Sequence, residues 1–299
     1  MVMTMDGNLE LYRIFGEVAR QRSFSGAAKA LYISQPAVSQ AVKQLEGQLG
    51  VMLFIRGPRG VSLTREGEIL RGYADSALNL LESGEARLAA LRSLSAGELR
   101  IGASDTVSKR YLMPAIEKFH TAHPDVALRI TNRTSPETIA LLREGRLDVG
   151  FVNLPIGGSG ISFEECKTVH DIFVAGSAYD HLRGVPLTLR ELAEQQLIML
   201  EQASNSRRWV DRHFLSRGVV LRPEIELGAH DLLLDYAGIG LGVACVIEEF
   251  SREPLESGRL FRLELTEPVP RRSVGACWLT GIALSAAARR FIELVKAGN

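Results

Sequence analysis

Cysteine is scarce: Cys166, Cys245 and Cys277 are the only three in the chain. The number is odd and no CxxC or Cys/His spacing occurs, so neither a disulfide framework nor a zinc site is expected. Cys245 and Cys277 sit in apolar runs and read as small buried hydrophobes. Cys166 stands in the polar run Glu164-Glu165-Cys166-Lys167 and is the one candidate for a redox role. No run approaches the about 18 consecutive apolar residues that span a bilayer, so no membrane partner is expected. The start, Met1 to Asp6, is apolar but short, with no basic leader and no signal-peptide core, and the expectation is a cytoplasmic protein. Catalytic equipment is missing too. His120, His123, His170, His181, His213 and His230 do not cluster into an acid–base pair, and there is no nucleophile–base constellation, metal spacing or phosphate loop. The expectation is no enzyme, no catalytic residue, no metal and no cofactor.

Net charge is absent as well, with 35 basic residues against 35 acidic ones. Taken whole, this argues against a nucleic-acid partner, but the distribution is uneven. Residues 1–65 carry eight Lys/Arg against four Asp/Glu, a local +4 that leaves −4 for the rest. Such asymmetry points to DNA better than the total does. The 299 residues suggest two domains, and 46% hydrophobic content is enough to bury a core.

In that basic segment Leu11, Phe15 and Val18 mark one face of a helix. Ser25 is placed to cap a second helix, with Ala27, Ala28 and Leu31 inward. Ser34 caps a third, with Pro36 in its first turn. In the third helix Val38, Val42, Leu45 and Leu49 form the inner stripe; Pro36, Gln40 and Lys43 point the opposite way, flanked by Ser39 and Gln44. That outer face holds no acid. Ser, Gln and Lys suit base edges and phosphates, although an ordinary amphipathic helix of an all-α domain reads alike. The next segment favours the DNA reading. Val51 to Phe54 and Val61 to Leu63 look like paired strands around Arg56-Gly57-Pro58-Arg59-Gly60, a basic hairpin placed to enter the minor groove or touch the backbone.

The run Ser23-Phe24-Ser25-Gly26-Ala27-Ala28-Lys29-Ala30-Leu31, with Ser34-Gln35-Pro36-Ala37-Val38-Ser39, Leu45-Glu46, Leu49-Gly50, Leu53-Phe54 and Leu63-Thr64-Arg65-Glu66-Gly67, closely resembles the LysR-type transcriptional regulators. The resemblance implies a winged helix-turn-helix over residues 1–67. It implies DNA contacts at Gln35, Pro36, Ser39, Gln40 and Lys43 on the recognition helix, at Arg56 in the wing, and at Ser23 and Ser25 on phosphates; the capping Ser34 and the hairpin's Arg59 are further candidates for DNA contact.

From Arg65 to about Leu94 there is no proline. Leu70, Ala74, Ala77, Leu81, Gly84, Leu88 and Leu91 keep a heptad seam with polar flanks, which predicts a linker helix over 68–96 that pairs two subunits. The resemblance implies the same dimer through 68–94, so that two recognition helices meet two half-sites, and a dimer of dimers. Ser95-Ala96-Gly97 reads as a joint.

Residues 97–299 alternate strands and helices, first as βαβαβ up to Asp148–Val152 and then as a second α/β series. Such sheets bind ligands at the carboxyl ends of their strands. There stand Ser104, Asp105 and Thr106, then Asn132 to Ser135, then Asn153; from the second series come Gln202, Ser204, Asn205, Ser206 and His230. Singly each reads as a helix cap; converging on one cleft, they support a polar ligand site. The resemblance extends here through Gly145–Gly150 and Gly238–Val246. It implies a two-lobed effector domain similar to periplasmic binding proteins, with effector positions at Ser104, Thr106, Ser135, Asn153 and Ser204. Lobe I is expected over about 98–158 and 267–299, and lobe II over about 159–266. Hydroxyls and amides near Arg207 and Arg208 suggest an anionic effector.

The fold expected is thus multidomain α and α/β. The partners expected are double-stranded DNA, a small-molecule effector and a second copy of the chain, with RNA polymerase open as a further one. A transporter's solute-binding protein, a cleft enzyme and a thiol-based redox regulator are the rival readings.

Overall fold

The structure, a computed structural model, describes residues 8–57, 60–92 and 97–298. The expectations placed on Met1 to Asp6, Arg59, Leu94 and the Ser95-Ala96 joint lie outside the described residues, as do the side chains of Arg56 and Leu91. The chain divides into two compact units, Met1–Ala89 with Glu144–Arg146, and Ala90–Arg143 with Leu147–Asn299.

In the first unit, Asn8 caps the helix Leu9–Gln21, which turns Leu11, Ile14, Phe15 and Val18 inward. Arg22 ends it in the left-handed region. Ser23, in extended conformation, caps Phe24–Leu31 by accepting from the Gly26 N–H at 3.0 Å. The cap therefore lies two residues before the expected Ser25. Phe24 is buried as the helix's first residue, and Ser25 on the next position faces solvent. The third helix, Gln35–Leu49, has Ser34 as its cap and buries Val38, Ala41, Val42 and Leu45.

Strand Phe54–Gly57 pairs antiparallel with Gly60–Leu63. The first strand starts later than the expected Val51 because the preceding backbone is engaged elsewhere. The Leu53 N–H donates to Glu46 Oε1 at 2.8 Å, and the Leu53 carbonyl accepts from Thr64. The helix Arg65–Arg92 follows. Its Gly67 is obligatory: a Cβ there would lie 2.2 Å from the Leu53 carbonyl oxygen. The expected seam divides. Ala74 is buried in the first unit's own core and Leu70 packs against it. Exposed along the helix are Ile69, Tyr73, Leu81 and Leu88.

The second unit holds two five-stranded sheets. In the first, Gly97–Ala103 runs parallel to both Val126–Asn132 and Val149–Asn153, and Gly97, expected in a joint, begins the strand. Arg272–Leu279 joins antiparallel on the far side. The last strand, Ile161–Val169, also pairs antiparallel with Arg272–Leu279, from Ile161 opposite Leu279 to Val169 opposite Arg272. It was not expected from the sequence, and it corrects the lobe boundary: the chain stays in lobe I to Val169 instead of leaving near 159. The second sheet has the order Ile225–Leu227, Leu197–Leu200, Val243–Ile247, Asp171–Ala175, Phe261–Arg262. The chain crosses into it between Val169 and Asp171 and returns before Arg272. Lobe I closes on a core of Leu99, Ile101, Phe119, Phe151 and Phe291, and lobe II on Phe173, Leu197, Phe214 and Val243.

Among the described residues no helix is long and apolar enough to cross a membrane.

Candidate nucleic-acid interface and interlobe cleft

On Gln35–Leu49 the residues turned from the core include amides, a hydroxyl and an ammonium. Gln35, Pro36, Gln40, Lys43 and Gln44 are exposed, and Ser39 is half-buried. Nε2 of Gln35 donates to the Ser39 hydroxyl at 2.9 Å, which ties the two side chains of the first turn together. The Ser34 hydroxyl accepts from the Ala37 N–H at 3.3 Å, so its first role is the cap. Glu46, the acid of this helix, accepts from both the Leu53 and Phe54 N–H groups. Its charge is spent holding the helix to the hairpin, and no acid stands among the exposed residues from Gln35 to Gln44. The hairpin is held from its other end as well, where the Val61 N–H donates to the Arg22 carbonyl at 3.2 Å. The backbone of Arg56 lies in the hairpin opposite Val61. Ser23 is half-buried and occupied as a cap, whereas the Ser25 side chain is exposed.

In the second unit the expected ligand residues do converge. Ser104, Thr106, Ser135, Asn153, Ser204, Ser206 and His230 all line one cleft between the lobes, with a volume of about 70 Å³. Their local reasons differ. Ser104 caps the short turn Asp105–Val107, its hydroxyl accepting from the Val107 N–H at 3.4 Å. Ser135 is buried as the first residue of Ser135–Arg143 and accepts from the Asn153 N–H at 3.0 Å. Thr106 is half-buried at the cleft wall. Ser204 holds the cap position of Asn205–Leu215 without a side-chain cap bond. His230 is the first residue of His230–Gly238 and is 2% exposed. Its Nε2 accepts from the Ile247 N–H at 3.1 Å. Burial holds its imidazole down to about 4, so the ring is neutral.

A cluster that sequence reasoning missed lies behind the cleft. Arg272 is buried with its guanidinium bidentate on Asp171, at 2.5 and 2.8 Å. Its other bonds go to Asn153 Oδ1 at 2.6 Å and the Ser206 hydroxyl at 3.0 Å. One side chain thus joins strands of both lobes at the crossover, together with a cleft residue from each. Asn205 adds a second tie, donating from Nδ2 to the Asn153 and Pro155 carbonyls. Lys109 and Arg110 form a third, both pairing with Asp231 at the start of His230–Gly238; the Arg110 contact is 2.6 Å. Burial pushes the Asp231 carboxyl up, but the bonds from these two cations outweigh it and hold it below the usual range. Lys109 and Arg110 lie in a π-helical stretch, Ser108–Leu112, a geometry common beside functional sites.

The two arginines expected near the ligand, Arg207 and Arg208, do not line the cleft. Arg207 is 3% exposed and committed to Asp211, Glu226 and the Leu200 carbonyl. Arg208 donates to the Gln202 carbonyl. The charged side chains that line the cleft are Asp105 and Glu201. The cysteines carry no mark of a thiolate sensor: burial raises the Cys166 thiol, pushes Cys277 up to about 12 and lifts Cys245 well above its ordinary value.

Comparison with known proteins bears on both halves. Residues 9–68 match the bacterial regulatory helix-turn-helix protein, lysR family, and residues 92–299 match the LysR substrate binding domain. The chain is 30% identical to the RuBisCO operon transcriptional regulator of Allochromatium vinosum, over 97% of this chain and 96% of the relative. It is 32% identical to the HTH-type transcriptional regulator cbl of Klebsiella aerogenes, over 97% and 93%. Among solved structures, full-length OxyR from Pseudomonas aeruginosa superposes with a TM-score of 0.69 at 22% identity, over 97% and 95% of the two chains. Full-length CbnR in complex with its target DNA does so at 0.66 and 20%, over 98% and 100%; at these identities the likeness is one of fold.

Proposed function

Because the chain belongs to the LysR family of transcription regulators, we propose that it reads its operator through Gln35, Pro36, Ser39, Gln40 and Lys43 and answers to a small molecule held in the interlobe cleft. The protein is a DNA-binding regulator with an effector-binding domain, and its family is not one of enzymes. The observation that carries the reading is the outer face of Gln35–Leu49, an acid-free row of amides, hydroxyl and ammonium whose one carboxylate is turned to the hairpin. Gln pairs bidentately with adenine, and Lys reaches guanine or a phosphate. Arg56 adds a cation from the wing, and Ser25 reaches a phosphate at the adjacent helix.

Two copies of the chain pair through residues 68–94. The support is the exposed row Ile69, Tyr73, Leu81 and Leu88, unusual for a helix left in water. Changing Tyr73, Leu81 and Leu88 to polar residues should yield monomers in analytical ultracentrifugation; a persistent dimer refutes this interface. The protein acts in the cytoplasm, where the operator lies.

The effector reading rests on seven expected residues lining one cleft whose walls belong to both lobes. A ligand that binds one lobe arrangement better than another shifts their populations, which is all a switch requires. A gel shift on the protein's own upstream DNA tests both parts. The Gln40/Lys43/Arg56 triple alanine protein should lose the shift. The Ser104→Ala protein should keep it and lose the response to ligand. Unchanged DNA affinity in the triple variant removes the reader assignment.

A further inference from the structure

The polar groups of the cleft floor are each held by a hydrogen bond from behind it. Backbone N–H and guanidinium groups offer no lone pair, so whatever they bond must accept. The Ser135 hydroxyl accepts from the Asn153 N–H, and the Ser206 hydroxyl from Nη2 of Arg272. Asn153 Oδ1 accepts from Nη1 of Arg272, which turns its amide N–H₂ the other way. The Ser104 hydroxyl accepts from the Val107 N–H. His230 Nε2 accepts from the Ile247 N–H, so its proton sits on Nδ1. Three O–H groups, one amide N–H₂ and one imidazole N–H remain able to donate into the cleft, while each hydroxyl also keeps a second lone pair.

His230 is the sharpest case. It is 2% exposed, it lines the cleft, and among the described residues its Nδ1 has no hydrogen-bond partner. Protein interiors seldom leave a buried polar atom in that state. Acceptors in the cleft include the exposed carboxylates of Asp105 and Glu201 and the Oδ1 of Asn205, whose Nδ2 donates to the Asn153 and Pro155 carbonyls. Among the described residues no side chain lining the cleft is a cation: Arg272 is paired with Asp171, and Arg207 with Asp211 and Glu226. The positive ends of Ser135–Arg143, Asn205–Leu215 and His230–Gly238 all border the space. At about 70 Å³ the cleft has room for several water-sized groups and so for a small oxyanion.

Resting on the reading of this cleft as the effector site, we infer that its ligand is a small oxyanion held by neutral donors alone, with the His230 Nδ1–H donating directly to one of its oxygens. The donor set accounts for how an anion is bound where no arginine or lysine reaches. The low basicity of the buried imidazole keeps that donor uncharged at neutral pH.

Isothermal titration calorimetry on the full chain tests the ligand class, with sodium sulfate, phosphate and acetate as probes and methylammonium chloride and glycerol as contrasts, all at matched ionic strength. One or more oxyanions should give saturable heat and the contrasts none. Ser135→Ala and His230→Gln should each weaken the oxyanion about tenfold or more, the range for a lost hydrogen bond to a charged group. Because His230→Gln disturbs the contact with Ile247, nitrogen-15 NMR of the wild-type histidines provides the second measurement. It should show an Nδ1–H tautomer for His230 whose resonance moves on titration with the oxyanion. A resonance that stays still while the anion binds overturns the His230 contact and assigns its partner to a fixed water. Binding of methylammonium or glycerol that Ser135→Ala abolishes overturns the oxyanion class and leaves the cleft reading standing. Oxyanion binding of equal strength in both variants overturns the cleft reading itself. No saturable heat with any oxyanion overturns the inference.

Discussion

Arg272 and Asp171 form a two-point ion pair, at 2.5 and 2.8 Å, where the chain crosses from one lobe to the other. Both are almost wholly buried, and the arginine's remaining bonds reach Asn153 and Ser206 across the cleft floor. Breaking a buried pair from one side strands a charge, which costs about 3–5 kcal/mol, whereas removing both charges with apolar residues of similar volume is often close to neutral. Arg272→Met should therefore lower the stability of the effector domain by about that amount in urea denaturation. The Arg272→Met/Asp171→Leu double variant should recover a substantial part of it. Equal losses in the single and double variants would mean that the pair is not the source of the cost.

Gly67 sets how closely the linker helix approaches the hairpin. A Cβ there would sit 2.2 Å from the Leu53 carbonyl oxygen, a backbone atom that cannot swing aside. Gly67→Ala should destabilise the DNA-binding unit by about 1–3 kcal/mol, the usual range for overpacking. Thermal melting of the variant followed by circular dichroism measures it.

His230 makes stability depend on acidity. Its folded-state value is about 4 against an ordinary 6.5, because burial disfavours the charged ring. Between those values the unfolded chain takes up a proton that the folded one does not, so stability falls as pH drops from 6.5 toward 4 and the contribution ends below that. The loss from this one group is up to about 3 kcal/mol. His213, lowered first by burial as well, acts in the same direction. Urea midpoints measured across this range should decline more steeply in the wild type than in a His230→Gln protein.

The thiols should be slow. Burial raises all three, so a neutral thiol reagent should modify the native protein far more slowly than the unfolded one, Cys245 and Cys277 least of all. Rapid modification of native Cys166 at neutral pH would revive the redox reading.

What the sequence carried plainly was local. The helix Gln35–Leu49 announced itself by its inner stripe and its Ser34 cap, and the three parallel strands of the first sheet by their runs. The cleft residues stood out because each sits at a strand's carboxyl end or a few residues beyond it. What stayed hidden was made by distant partners. Arg272 and Asp171 are 101 residues apart, and neither lies in a pattern that marks it. The strand Ile161–Val169 alternates weakly and takes its register from Arg272–Leu279, more than 100 residues on. Leu70 and Ala74 fit a heptad as well as they fit the core they enter, since periodicity records a buried face and not what buries it. Arg207 and Arg208 lie close in sequence to the cleft residues Ser204 to Ser206, but acidic partners and carbonyls claim them in space.

The central claim is that Lys43 and Gln40 touch DNA, and fluorescence anisotropy on a duplex from the protein's own upstream region tests it most directly, titrated at several salt concentrations. Lys43→Ala should weaken binding at every sequence and reduce the slope of log affinity against log salt by about one. Gln40→Ala should cost about tenfold on the operator and little on a scrambled duplex, as the loss of a base contact does. Affinity and salt slope that match the wild type in both variants would contradict the account.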